Sequence, residues 1–153
     1  MILTAQDFKG LLKVPQDVNL DEYIVEFEKR GMIIVVGLVL ANIIYDDYPS
    51  NPDYALLVDG DESYTGLRKG LAEFVFYNIV RHQTLFLNKS GIFAGTQDLA
   101  DRMNAGLVIS YHNSEFIRIA DEVRDFISQN SSKYEGYDFS FDISFISENA
   151  LGI

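Results

Sequence analysis

Apolar positions first fall into a helical rhythm after Asn19. Leu20, Ile24, Phe27 and later Ile34 lie near one face, while Asp21, Glu22, Glu26 and Glu28 lie mostly outside it. Asn19 with Glu22 makes a capping box, and Val18 with Tyr23 is spaced as a hydrophobic staple. Lys29-Arg30-Gly31 reads as the helix end, with cations at the negative pole and glycine at the cap. The pattern predicts a helix from Asn19 to Arg30, after a lead-in over 1–18 in which Pro15 marks an extended or turn segment.

The run from Met32 to Ile44, apolar but for Asn42, fits either a helix or a buried strand, and in both cases a core element. The uncharged stretch from Gly31 to Tyr45 is too short for a membrane helix, which needs about 20 apolar residues. Tyr48-Pro49-Ser50-Asn51-Pro52 is a loop, Pro52 to Leu57 starts a short helix with proline in its first turn, and Asp59-Gly60-Asp61-Glu62 is a second loop.

Helical spacing returns from about Thr65 to Leu87. Leu67, Leu71, Phe74, Asn78 and Leu85 alternate there with Arg68, Lys69, Glu73 and Arg81. Residues 88–95 form a connector punctuated by Gly91 and Gly95. Thr96 is placed to cap a third long helix, in which Leu99, Met103, Leu107 and Tyr111 recur every four residues. Phe116, Ile119, Val123, Phe126 and Ile127 continue the stripe, and Asn113-Ser114 marks a kink or division, because both side chains compete for backbone hydrogen bonds.

After Gln129-Asn130-Ser131-Ser132 the period changes. Tyr137, Phe139, Phe141, Ile143 and Phe145 alternate with Asp138, Ser140, Asp142 and Ser144, the pattern of a strand with one apolar face. Such a tail either folds back onto its own helices, pairs with the Met32–Leu40 run, or adds as a strand to a neighbouring subunit. The expected architecture is one mainly α domain over 1–153. A small helical bundle (19–130) with long central and C-terminal helices is followed by an extended, β-like tail (131–153). The five apolar tail residues are the candidate subunit interface.

Charge changes the functional picture. Twelve basic residues stand against 23 acidic ones, for a net −11. Nucleic-acid binding needs Lys and Arg to replace phosphate counterions, so this balance opposes it. The same repulsion suits a surface past which DNA slides without sticking. A mean hydropathy of +0.03 in so charged a chain indicates apolar side chains in surplus, available to other subunits. The segment from Met1 to Asp7 lacks the basic and apolar regions of a secretory signal.

Candidate chemistry is sparse. With no cysteine, disulfide frameworks, thiol catalysis and Cys-based zinc sites are excluded. His82 and His112 lack zinc-ligand spacing and read as surface or helix-end residues. Asp59-Gly60-Asp61-Glu62-Ser63 opens like a calcium loop but places Tyr64 and Gly70 where that loop needs glycine and glutamate. Gly66-Leu67-Arg68-Lys69-Gly70 lacks the ending of a phosphate loop, and Arg68-Lys69 reads as a solvated face. Asp46-Asp47 and Asp121-Glu122 read as surface charge. No catalytic, metal or cofactor site is expected.

The order of segments resembles one family. Phe27-Glu28-Lys29-Arg30 followed by Val35-Val36-Gly37-Leu38-Val39-Leu40 is similar to the first helix of the head-to-tail connector proteins of tailed phages, as found in Bacteroidetes and crAss-like phages. Pro52 to Gly60 resembles their short helix and acidic turn. Leu67-Arg68-Lys69-Gly70-Leu71-Ala72-Glu73-Phe74-Val75-Phe76-Tyr77 resembles their central aromatic helix, and the connector and long helix from Thr96 follow in order. The chain departs at Gly31, where the family favours a larger residue, and lacks a Tyr after Leu40.

The resemblance covers about residues 20–130 in layout and implies a non-enzymatic subunit of a ring below the portal, commonly twelve-fold. Its partners would be sister subunits, portal and tail or other neck proteins, with DNA passing unbound. Its place would be the virion neck, after assembly in the host cytoplasm. Two other readings stay open: an acidic binding module that mimics nucleic acid, and an enzyme with a dispersed site around His82, His112 and nearby carboxylates.

Overall fold

The computed structural model describes residues 1–9, 11, 19–89 and 96–137, with the side chains of 83–89 and 96–105 left out of the description. Four helices follow one another: α1 (Leu20–Asp47), α2 (Pro52–Asp59), α3 (Leu67–Lys89) and α4 (Thr96–Gln129). Short 3-10 turns at Ala5–Phe8 and Ser131–Lys133 flank them. The mainly α expectation holds, and no β-strand occurs among the described residues. The alternating segment from Phe139 to Phe145 lies outside the described residues, as do Val18 and the connector at 90–95.

The centre of the bundle is α3. Every residue from Leu71 to Ile79 is buried, including Glu73 and Asn78, so this helix has no solvent face over more than two turns. Helix α4 runs antiparallel to it. Gly70 lies against Ile119, the rings of Phe74 and Phe116 sit 4.8 Å apart, and Tyr64 stacks on Phe126 at 4.2 Å. Helix α1 is also antiparallel to α3, with Tyr23 beside His82 at 5.8 Å and Gly31 beside Leu71 and Phe74. The N-terminal segment closes the remaining side through Ile2, Leu3 and Phe8, all buried.

The first helix does not stop at Gly31. It continues to Asp47, so Met32 to Ile44 is helix rather than strand, and it is core: Met32, Val35, Val36, Leu40, Ala41 and Ile44 are each at most 1% exposed. Gly31 is a packing glycine. A Cβ there would lie 2.8 Å from Phe74 Cδ1 and 3.1 Å from Leu71 Cδ2, so its absence lets α1 and α3 approach. The interruption falls at Gly37 instead, whose φ of 79° and ψ of 163° divide α1 into two segments. That conformation is essentially open only to glycine. The Asn19 capping box does not form, since the Asn19 amide donates to the Glu22 carboxylate (2.8 Å) rather than capping the backbone.

The start of α2 matches the sequence reading, and one expected break is absent. Asn51 Oδ1 accepts from the Asp53 N–H (2.9 Å) with Pro52 opening α2, and the turn before it contains a cis Tyr48–Pro49 bond. Helix α4 runs 34 residues without the division expected at Asn113-Ser114. Ser114 donates to the Ser110 carbonyl one turn back (2.8 Å), which satisfies its hydroxyl without breaking the helix.

Candidate functional site

Three polar groups that the pattern places at the surface are instead buried or tied into the fold. Glu28 is 3% exposed, although its spacing put it on the polar side of α1. Its carboxylate accepts from the backbone N–H of Ile2 (2.9 Å) and Leu3 (2.5 Å) and from the Tyr45 hydroxyl (2.8 Å). It pins the N-terminal segment to the bundle, and burial together with that bond pushes the Tyr45 pKa above its ordinary value.

Arg68 is not a solvated cation. Its guanidinium donates to Asp59 (2.8 Å), to the Ile2 carbonyl (2.6 Å) and to the Tyr48 hydroxyl, with Asp7 at 3.6 Å. One side chain on α3 thus joins the N-terminal segment, the Pro49 turn and the end of α2. Planar, multidentate donation of this kind belongs to arginine and would be lost with lysine.

The third is a buried pair. Glu73 on α3 and His112 on α4 are 4% and 2% exposed and in direct hydrogen-bond contact through Oε2 and Nδ1. Phe76 packs on the imidazole at 4.6 Å, and Nε2 has no partner. His112 is therefore neither a surface nor a helix-end residue. Its spacing along α4 could have shown this, because it stands four residues before Phe116 on the buried stripe. His82 lies apart from this pair, packed against Tyr23 and Phe27. Of the dispersed enzyme site, the fold brings together Glu73 and His112, sealed inside the bundle.

Carboxylates concentrate at the end of the molecule where α1 and α4 finish. Burial, and after it the negative charges of Asp47, Glu135 and Asp53, raise the Tyr54 hydroxyl pKa. Asp61 shapes the loop read as a failed calcium motif: it accepts from the Ser63 hydroxyl (2.8 Å), the Ser63 N–H (2.7 Å) and the Tyr64 N–H (3.0 Å), which hold its pKa down. Burial opposes the charge of Glu122, yet bonds from the Thr65 N–H (2.8 Å) and hydroxyl (2.9 Å), with Arg118 nearby, keep its pKa below the ordinary value. Glu122, Asp121 and Asp125 line an open cleft of about 580 Å³ with Arg118 and Phe126. No group of three or more acidic or histidine side chains is placed to hold a metal among the described residues.

The apolar surface is uneven. Leu38 and Val39, immediately after the Gly37 break, are 57% and 59% exposed. Leu107 and Tyr111, one turn apart on α4, are 69% and 60% exposed, although the four-residue stripe placed them inside. Tyr137, the first residue of the predicted interface, is half-buried against its own core, and its hydroxyl accepts from Arg124 Nε (3.0 Å). Phe139, Phe141, Ile143 and Phe145 lie outside the described residues.

Among the described residues, no helix is long and apolar enough to cross a membrane. No protein-family model matches the chain, and no curated protein or solved structure matches it.

Proposed function

We propose that this chain is a structural, non-catalytic subunit of a phage head-to-tail connector, assembling with copies of itself into a ring below the portal. The observation that carries the reading is the presence of solvent-facing large apolar side chains, among them Val25, Leu38, Val39, Leu107 and Tyr111, on an acidic helical bundle. Large apolar side chains left in water favour contact with another protein surface. The sequence resemblance supplies the context, because the order of first helix, short helix, acidic turn, central helix and long helix is that of α1 to α4. A net charge of −11 suits a ring whose wall repels passing DNA.

The test is assembly. Purified protein, alone and mixed with the portal protein of the same phage, is examined by light scattering and negative-stain electron microscopy. Closed rings, free or seated on the portal, are the expected result. A chain that stays monomeric in both conditions at high concentration refutes the proposal.

A further inference from the structure

We propose that the buried Glu73–His112 pair is a proton-operated latch. Ionised Glu73 holds the first half of α4 on α3, and adding a proton to Glu73 beside the imidazolium releases it. This does not depend on the ring reading.

The pair stands at the margin of the α3–α4 contact. Among the described side chains of α4, none from Gly106 to Tyr111 is buried, His112 is the first that is, and Phe116 is the next. The stretch before His112 meets the core only through Val108 and Ile109, both half-buried. His112 is therefore the outermost full anchor among those side chains. The exposed Leu107 and Tyr111 ride on the same stretch, so its release moves that surface relative to the rest of the bundle.

No other charge compensates the pair. Glu73 and His112 each have the other as the one hydrogen-bond or ion-pair partner among the described residues. On α1 every charged side chain except Glu28 is exposed, and Glu28 is bonded to Ile2, Leu3 and Tyr45. Asp7 and Asp59 face Arg68, and Asp53 faces Lys133. On α3, Lys69 is exposed, Tyr77 stacks on Phe74, and Arg81 and His82 lie about two turns beyond Glu73. On α4, Glu115 is held by Arg118 at 3.1 Å, while Tyr111 meets the imidazole edge-on at 5.1 Å.

The direction follows from counting protons on the pair, which titrates as a unit. Neutral or charged, the imidazole can donate its Nδ1–H to the ionised carboxylate, so the latch stays shut while Glu73 carries its charge. In the doubly protonated pair an imidazolium is buried without a counter-charge, and its Nε2–H faces no acceptor. Opening lets water reach both groups. The latch is therefore shut at neutral pH and opens as pH falls.

A single thiol tests this. The chain has no cysteine, so Val108→Cys places one probe in the half-buried position one turn before His112. Its labelling by a dithiodipyridine reagent is followed as pH is lowered, relative to the urea-unfolded chain at each pH, with circular dichroism marking global unfolding. Labelling is expected to rise about a hundredfold before the helical signal changes, the scale set by an uncompensated buried charge. In Glu73→Gln the amide still accepts from Nδ1–H but carries no charge, so protonation of the imidazole alone opens the helix. The midpoint should then move up by about two pH units, the interval between ordinary carboxyl and imidazole titration. With Glu73→Met and His112→Phe together, the thiol should stay protected until the whole bundle unfolds, and this comparison decides if Glu73→Gln does not fold. A Gln variant with the wild-type midpoint, an apolar pair that still opens in acid, or a wild type labelled only on global unfolding overturns the proposal.

Discussion

Replacing Glu28 with leucine should release the N-terminal segment while leaving the helices folded. The carboxylate is 3% exposed and holds the N–H groups of Ile2 and Leu3 and the Tyr45 hydroxyl. If the segment stayed docked, two buried backbone donors would lack acceptors, at about 1–3 kcal/mol each. Tyr45 is only partly buried and turns to water. The alternative is for the segment to detach, which hydrates both donors but exposes Ile2 and Leu3, at about 1.5–3 kcal/mol each. Detachment also returns conformational freedom worth about 1–2 kcal/mol per residue to the freed backbone, so it is the cheaper route.

The expected loss of stability for Glu28→Leu is therefore about 2–4 kcal/mol, bounded above by the two unpaired donors. Glu28→Gln keeps an acceptor and loses only the charge assistance, for about 1 kcal/mol. Urea unfolding measures the totals, and amide hydrogen exchange identifies the route. The Ile2 and Leu3 amides should be protected in the wild type and exchange freely in the leucine variant. Retained protection at both amides would show that Glu28 does not hold the segment.

Other consequences can be checked directly. Gly31→Ala gains about 1 kcal/mol of helix propensity but drives a Cβ into Phe74, for a net loss of about 1–2 kcal/mol in thermal unfolding. Gly37→Ala has open space yet a φ of 79°, and should lose about 1–3 kcal/mol from strain alone; a stabilised variant would mean that α1 straightens there. His112→Phe strands the buried Glu73 and should destabilise by about 3–5 kcal/mol, while adding Glu73→Met restores most of it, a coupling a double-mutant cycle measures. The lowered pKa of Glu122 means its ionised form is favoured by folding, so its contribution is full above the ordinary glutamate range and is lost as pH falls through its folded value. Glu122→Gln should flatten that part of the acid-unfolding curve, and an unchanged profile would remove the linkage.

The helices were legible because their apolar spacing is dense, and the misreadings share a cause. Gly31 preceded by two cations looks like a cap from local chemistry, yet its role depends on Phe74, 43 positions away. Arg68 and Glu73 read as polar-face residues because spacing finds a helix's apolar stripe but not a helix enclosed on every side. His112 stood on the buried stripe four residues before Phe116, but its partner Glu73 could be named only from the fold. Leu107 and Tyr111 kept the four-residue rhythm of a buried stripe, but rhythm reports a shared face and not what covers it. Of the candidate interface the sequence named Tyr137, which packs on its own core, and a tail that lies outside the described residues, whereas the exposed pairs Leu38-Val39 and Leu107-Tyr111 needed the fold. The exposure of Leu38-Val39 follows from a backbone turn that no side-chain pattern encodes.

Because α3 is wrapped by the N-terminal segment, α1, α2 and α4, nothing outside the molecule can read the shielded span from Leu71 to Ile79. Whatever docks here must recognise the outer helices and the turns between them. Substitutions along that span should therefore act through folding yield alone, while those on the outer shell are free to retune affinity without disturbing the scaffold.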